Sequence, residues 1–267
     1  MPITFATWNI NSVRLRREMV VKFLNDTKPD ILALQEIKCT NDHFPAEFFA
    51  NAGYQYQAIN GQKSYHGVAL LSRLPLNNIN KRTFCNIEQS RHVSANVSYK
   101  SRNITIHNFY IPAGGDEADR ETNPKFAHKL DFYSEMQSWF DGSDFRKNQI
   151  IVGDFNIAPH ENDVWSHKQL LKVVSHTPQE IELLNKLRDR GNWVDIIRKH
   201  IPTNEKLYSW WSYRAKDWDK ADKGRRLDHI WASPDVAELS TVVKIIREAR
   251  GWKEKPSDHV PLVATFE

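Results

Sequence analysis

Short apolar runs, most of them separated by turns and not by helices, are what most limits the fold open to this 267-residue chain. Ile3, Phe5, Thr7 and Asn9 alternate as a strand with a polar end, and Ile31–Leu34 is a brief apolar run closed by Gln35-Glu36. Val68–Leu71, Val93–Tyr99, Ile104–Tyr110 and Gln149–Val152 read the same way, with Gly, Pro, Asn or Ser between them. The last third adds strand patterns near 207–213, 226–232, 241–247 and 259–266. Helical spacing stands out in three stretches. These are 14–27, with Leu15, Met19, Val20, Phe23 and Leu24 on one face, then 124–140, with Phe126, Leu130, Tyr133, Met136 and Phe140, and 178–190. Strands therefore outnumber helices, which excludes a plain strand–helix alternation. A mixed α/β chain with two packed sheets and flanking helices buries such a set of segments. No repeat, low-complexity tract or Gly/Pro/Ser-rich linker divides it, so one domain over 1–267 is expected.

The composition, 40% hydrophobic and 26% charged, is that of an ordinary folded protein and excludes global disorder. No apolar run approaches the length that crosses a bilayer, and the start lacks the pattern of a secretory signal. A cytoplasmic location and no membrane partner are expected. Cys39 and Cys85 form no CxxC pair, which disfavours structural zinc and a disulfide framework. The excess of 37 Lys and Arg over 33 Asp and Glu is too mild to show nucleic-acid binding. Nine Trp, eight Tyr and thirteen Phe can either build a core or supply stacking surfaces.

The polar residues fall in a pattern. Asn9 and Asn11, Glu36, Tyr110, Asp154 and Asn156, Asp228 and His229, and Asp258 and His259 all sit at the ends of apolar strands. Any one of them alone reads as a turn residue, a solvated charge or a half-buried core side chain. Recurrence in six segments points instead to a polar site along one rim of a sheet sandwich.

Taken together, TWNINSVR (7–14), LQEIK (34–38), NFYIP (108–112), GDFNIAP (153–159), RLDHIW (226–231) and SDHVPL (257–262) resemble the exonuclease III family of apurinic/apyrimidinic endonucleases, part of the endonuclease/exonuclease/phosphatase superfamily. The resemblance runs from residue 3 to 266 with the motifs in order. It implies a four-layer sandwich of two packed mixed β-sheets flanked by α-helices. It also implies a magnesium-dependent phosphodiesterase that incises duplex DNA 5′ to abasic sites, with 3′→5′ exonuclease and 3′-phosphatase activity as further uses of the site. Glu36 has the family position of the principal metal ligand, with Asn9 and Asp258 as further candidates; a hard carboxylate suits Mg2+, with Mn2+ as a substitute. By the same resemblance Asp154 orients and deprotonates water, Asn156 donates to a phosphate oxygen, His259 contacts the scissile phosphate and Asp228 orients His259. Tyr110 would bind phosphate or assist the leaving group. Trp210 and Leu227 would line the pocket for a flipped abasic sugar, which costs less to extrude than an intact nucleotide. Arg91 and Asn11 complete the expected DNA-contact set.

Two departures from the family pattern stand out. Relatives often carry Asn or Gln where Ala113 stands, before Gly114-Gly115, and an apolar residue where Arg225 stands. From 214 to 226 six Lys and Arg face three Asp beside Tyr208, Trp210, Trp211 and Tyr213, a pattern suited to a DNA groove or to an aromatic core with a solvated loop. The expected partner is duplex DNA with abasic sites or blocked 3′ ends, bound by a monomer. The competing readings are a phosphoesterase of the same fold acting on inositol phosphates or lipid head groups, and a non-catalytic DNA-binding member. The presence of Glu36, Asp154 and His259 speaks against the last.

Overall fold

The structure is a computed structural model that describes residues 1–141 and 145–267. Its strands are β1 (Ile3–Asn9), β2 (Ile31–Gln35), β3 (Tyr56–Asn60), β4 (Val68–Ser72), β5 (Asn77–Asn80), β6 (His92–Tyr99), β7 (Arg102–Tyr110), β8 (Gln149–Asp154), β9 (Val194–Asp195), β10 (Trp210–Trp211), β11 (Gly224–Arg225), β12 (Asp228–Ala232), β13 (Ser240–Ile245) and β14 (Leu262–Phe266). Two six-stranded sheets form, in the orders β13-β14-β1-β2-β4-β3 and β5-β6-β7-β8-β12-β9. Each is mixed: β1 pairs parallel with β2, and β7 with β8, while the other pairings are antiparallel.

One core lies between the sheets, where Phe5, Ile31, Leu70, Val93, Ile106, Ile150 and Ile230 meet. The outer faces are covered too, as the apolar residues on both faces of the central strands require. Helix Val13–Thr27 packs Val20, Phe23 and Leu24 against Trp8, Leu32 and Leu71. Helices Pro124–Trp139 and Pro178–Arg190 bury Tyr133, Met136, Leu184 and Leu187 over Phe109 and Ile151 of the other sheet. Four layers result, as expected. The helix starts follow local chemistry. Asn123 accepts from Lys125 N at 3.0 Å ahead of Pro124, and Thr177 and Glu180 form a reciprocal capping box around Pro178.

The structure revises three details. The strand expected over 207–213 is only Trp210–Trp211, because Tyr208 and Trp211 enter the same core instead of alternating faces. In the first helix Leu15 is 55% exposed and Arg16 takes the inward position, held by the Ile10 and Lys255 carbonyls. β3, β5 and β9 carry no clear apolar run; β5, the edge strand Asn-Asn-Ile-Asn, is exposed throughout.

The core also contains a chain of neutral imidazoles. Arg82 N donates to His92 Nδ1 at 3.2 Å, which leaves His92 Nε2 to donate to His107 Nδ1 at 3.1 Å and His107 Nε2 to donate to Gln149 at 3.2 Å. Burial pushes His107 down to about 4, His92 well below its ordinary value and the separately buried His229 to about 3. The unfolded chain binds these protons near pH 6.5 and the folded chain does not. This stability is therefore complete above pH 6.5 and is lost as pH falls toward 4, at about 1.4 kcal/mol per pH unit for each histidine. Asp154, raised to about 7 by burial, works in the opposite direction over the same window, so the three histidines dominate. The urea midpoint is expected to fall between pH 6.5 and pH 5; equal midpoints would contradict this.

Candidate active site

Strand register gathers the rim residues. In β7 and β8 Tyr110 lies opposite Asp154, and in β8 and β12 Asp154 lies opposite Asp228, so three adjacent strands end their polar residues at one level. Parallel β1 and β2 put Asn9 opposite Gln35, beside Glu36. β14 enters against Thr7, so the residues before it bring Asp258 and His259 to the same rim. Two bonds fix that approach: Trp8 Nε1 donates to the His259 carbonyl at 2.9 Å and Ser257 Oγ donates to the Asn9 carbonyl at 2.7 Å. Gly153 is required locally, since its φ is +137° and a Cβ there would collide with the Phe109 carbonyl oxygen. Asn11, Glu36 and Asn156 also sit at positive φ (46°, 51° and 55°), a concentration of uncommon backbone at the site.

Glu36, Tyr110, Asp154, Asn156, Asp258 and His259 line one pocket of about 240 Å³. Trp210, Leu227, Ala113 and Arg225 form its walls. Asp154 is 1% exposed and accepts from Asn9 Nδ2 at 2.9 Å, Asn156 N at 3.0 Å and Asn156 Nδ2 at 3.1 Å. His259 bonds through Nδ1 to Asp228 at 2.8 Å, and its Nε2 lies 3.8 Å from Asp154. Burial opposes charge on His259, but Asp228 and Asp154 outweigh it and raise the imidazolium to about 10. Burial, with Asp228 and Glu36 adding to it, lifts Asp154 to about 7 against the pull of His259. Burial, Glu36 and Asp154 push the Tyr110 hydroxyl well above its usual value, so it stays a donor. Glu36 goes the other way: despite burial, Lys38 at 2.7 Å and Asn9 at 2.9 Å hold its carboxyl below the ordinary value.

A buried acidic and imidazole cluster is thus present, with ligand atoms of Asp154, Asp228 and His259 within 4.8 Å of one another. His259 Nδ1 is taken by Asp228 and its Nε2 faces Asp154, so this trio is closed on itself. Glu36 fits a hard cation better. Its Oε2 and Asn11 Oδ1 already share one positive charge, the Lys38 ammonium at 2.7 and 2.6 Å, and both donors are oxygen.

Several expectations change in detail. Asn9 turns its amide nitrogen to both Glu36 and Asp154, and its oxygen accepts from Asn11 N at 3.1 Å. Here it is a donor that joins the two carboxylates. Asn11 does not line the pocket; it links Lys38 to Asp258, donating to the latter at 3.0 Å. Arg91 is no free phosphate contact: it is 6% exposed, donates to the Tyr110 carbonyl at 3.1 Å and lies over the Tyr110 ring. Asn156 directs its amide to Asp154 and to the Ile111 carbonyl at 2.9 Å. Asp258 accepts from Trp210 Nε1 at 3.0 Å, which fixes that wall.

Sequence reasoning missed Lys129. Fully buried, its ammonium donates to the carbonyls of Asn156 at 2.7 Å and Ala113 at 3.2 Å and pairs with Glu180. Gly114, at φ +92°, makes room for it, since a Cβ there would lie 2.9 Å from Lys129 Cδ. The signal was a lysine on the apolar stripe of Phe126, Leu130 and Tyr133.

Residues 6–259 match the endonuclease/exonuclease/phosphatase family. The chain is 34% identical to exodeoxyribonuclease III of Haemophilus influenzae, over 98% of this chain and 99% of that one. Two solved structures superpose with a TM-score of 0.90. One is an AP endonuclease from Archaeoglobus fulgidus, 31% identical, and the other a 3′ phosphatase from Neisseria bound to a product DNA hairpin, 29% identical; each pairing covers 99% of both chains. With the motifs, the two-sheet fold and the convergent rim in agreement, the chain belongs to the endonuclease/exonuclease/phosphatase family, in which it stands with the DNA-repair nucleases of exonuclease III type.

Proposed function

We propose that this chain hydrolyses phosphodiesters of duplex DNA on the 5′ side of abasic sites, leaving a 3′-hydroxyl, and that the same pocket trims 3′ ends as an exonuclease and 3′-phosphatase. One observation carries the reading: a buried carboxylate, Asp154, and the His259 imidazole converge 3.8 Å apart beside the Glu36 carboxylate. Asp154, with its pKa near neutrality, takes the proton of the attacking water. His259, kept charged by Asp228, offers its Nε2–H to a non-bridging phosphate oxygen, and Tyr110 offers its hydroxyl. Asn9 and Asn156 hold Asp154 in place throughout. Trp210 and Leu227 present an apolar wall to a bare deoxyribose.

Magnesium, held by Glu36 with Asp258 nearby, would neutralise phosphate charge and stabilise the leaving alkoxide. Among the described residues no helix is long and apolar enough to cross a membrane, and the relatives named above are nucleases or act on DNA ends. Glu36→Gln tests the metal assignment on a duplex with a single abasic-site analogue. The half-saturating magnesium concentration is expected to rise about 10–100-fold. An unchanged magnesium titration would remove Glu36 as ligand.

A further inference from the structure

The catalytic pocket continues past Trp210. Gly115, Val174, Trp210 and Arg225 also border a second pocket of about 460 Å³. The charged side chains lining that space are Arg214, Lys223 and Arg225, against the single carboxylate of Asp116. Among the described residues none of the three cations forms an ion pair. Arg225 is nonetheless held in place. Its Nη1 donates to the Val174 carbonyl and to Ser175 Oγ, both at 2.8 Å, its guanidinium lies 5.4 Å from the Trp210 ring, and its Nε is buried without a partner. Lys223 lies over the Trp165 ring on the same side. An anchored cation has already lost most of its rotamer freedom, so more of its attraction to an anion appears as binding.

The order of chemistry along the two pockets matches a strand of DNA. The donors His259 and Tyr110 suit one phosphate, Trp210 and Leu227 suit a sugar, and beyond them come the three unpaired cations. We propose that Arg225, with Lys223 and Arg214, forms a second phosphate subsite, which takes the phosphodiester on the 3′ side of the sugar seated against Trp210 and Leu227. The inference rests on the DNA-phosphodiesterase reading above. Its consequence is a substrate preference. A residue inside a strand carries phosphates on both sides and uses the subsite; a terminal 3′-phosphate, with nothing beyond the scissile group, does not. Arg225 thus favours internal abasic sites.

A neutral linkage tests this. Two duplexes carry the same abasic-site analogue, one with a normal phosphate on its 3′ side and one with an uncharged methylphosphonate. kcat/KM is measured on both for wild type, Arg225→Met and Lys223→Met. Wild type is expected to lose about tenfold when that one phosphate is neutralised. In Arg225→Met the same neutralisation is expected to cost less than about twofold, because the charge that sensed it is gone. Lys223 is exposed and outside the core, so Lys223→Met decides the matter if loss of the Arg225 anchors unfolds the first variant; its cost is expected to fall to about threefold. The same tenfold cost in wild type and both variants, or no cost in wild type, overturns the subsite while leaving the DNA reading intact. A wild type that cuts neither duplex overturns the reading and the subsite together.

Discussion

Asp154→Asn is expected to lower kcat on abasic DNA by about 10³-fold while the dissociation constant for the same duplex, measured with chelator, changes less than about threefold. The rate loss follows from removing the one group at the rim that combines near-neutral basicity with access to the pocket; general-base catalysis contributes about 10²–10⁴-fold. An asparagine also fits the local donors badly. Both Asp154 oxygens accept, Oδ1 from Asn156 N and Oδ2 from Asn9 and Asn156 side chains, so a carboxamide NH2 would face donors at one of them. Binding survives because His259, Tyr110 and the Trp210 wall are untouched. A variant that turns over at the wild-type rate would take Asp154 out of the chemistry.

Lys129→Met is expected to cost about 3–5 kcal/mol in urea unfolding, because it leaves the Glu180 carboxylate buried without its counter-charge. Glu180 still accepts from Ser175 N and Thr177, but those are neutral donors. Methionine cannot replace the bonds to the Asn156 and Ala113 carbonyls either, so the loop beside Asp154 loses a fixed point. The double variant Lys129→Met/Glu180→Gln is expected to recover part of the loss, since it removes the unpaired charge. A single-variant cost below about 1 kcal/mol would mean that the pair contributes no more than a surface ion pair.

How much of this was legible in the sequence depended on the range of the interaction. The alternation in Ile3–Asn9 and the spacing in 178–190 are local patterns, and the strands and helices they imply are present. The rim residues were readable because each lies at a strand end inside a recognisable motif, and register then aligned Tyr110, Asp154 and Asp228. What failed to show was set by contacts between distant segments. Residues 207–213 look like a strand, yet only Trp210–Trp211 is one, and the Ser209 hydroxyl turns to accept from the Leu227 and Asp228 amides. Arg91 carries a charge that suggests solvent or DNA, and only the fold shows it closed over Tyr110. Lys129 is inside because Glu180, 51 residues later, waits there. Arg225 was visible as a departure, but its meaning required seeing that it borders both pockets.

Cleavage of end-labelled duplexes separates a lesion-directed, metal-dependent nuclease from every other reading of this pocket. One duplex carries a single abasic-site analogue and the other is identical but intact, each assayed with magnesium and with chelator. Magnesium-dependent incision is expected on the 5′ side of the lesion, leaving a 3′-hydroxyl, with slower trimming from the 3′ end of both duplexes and no reaction in chelator. Absence of cleavage of either duplex, or incision that ignores both lesion and metal, would contradict it.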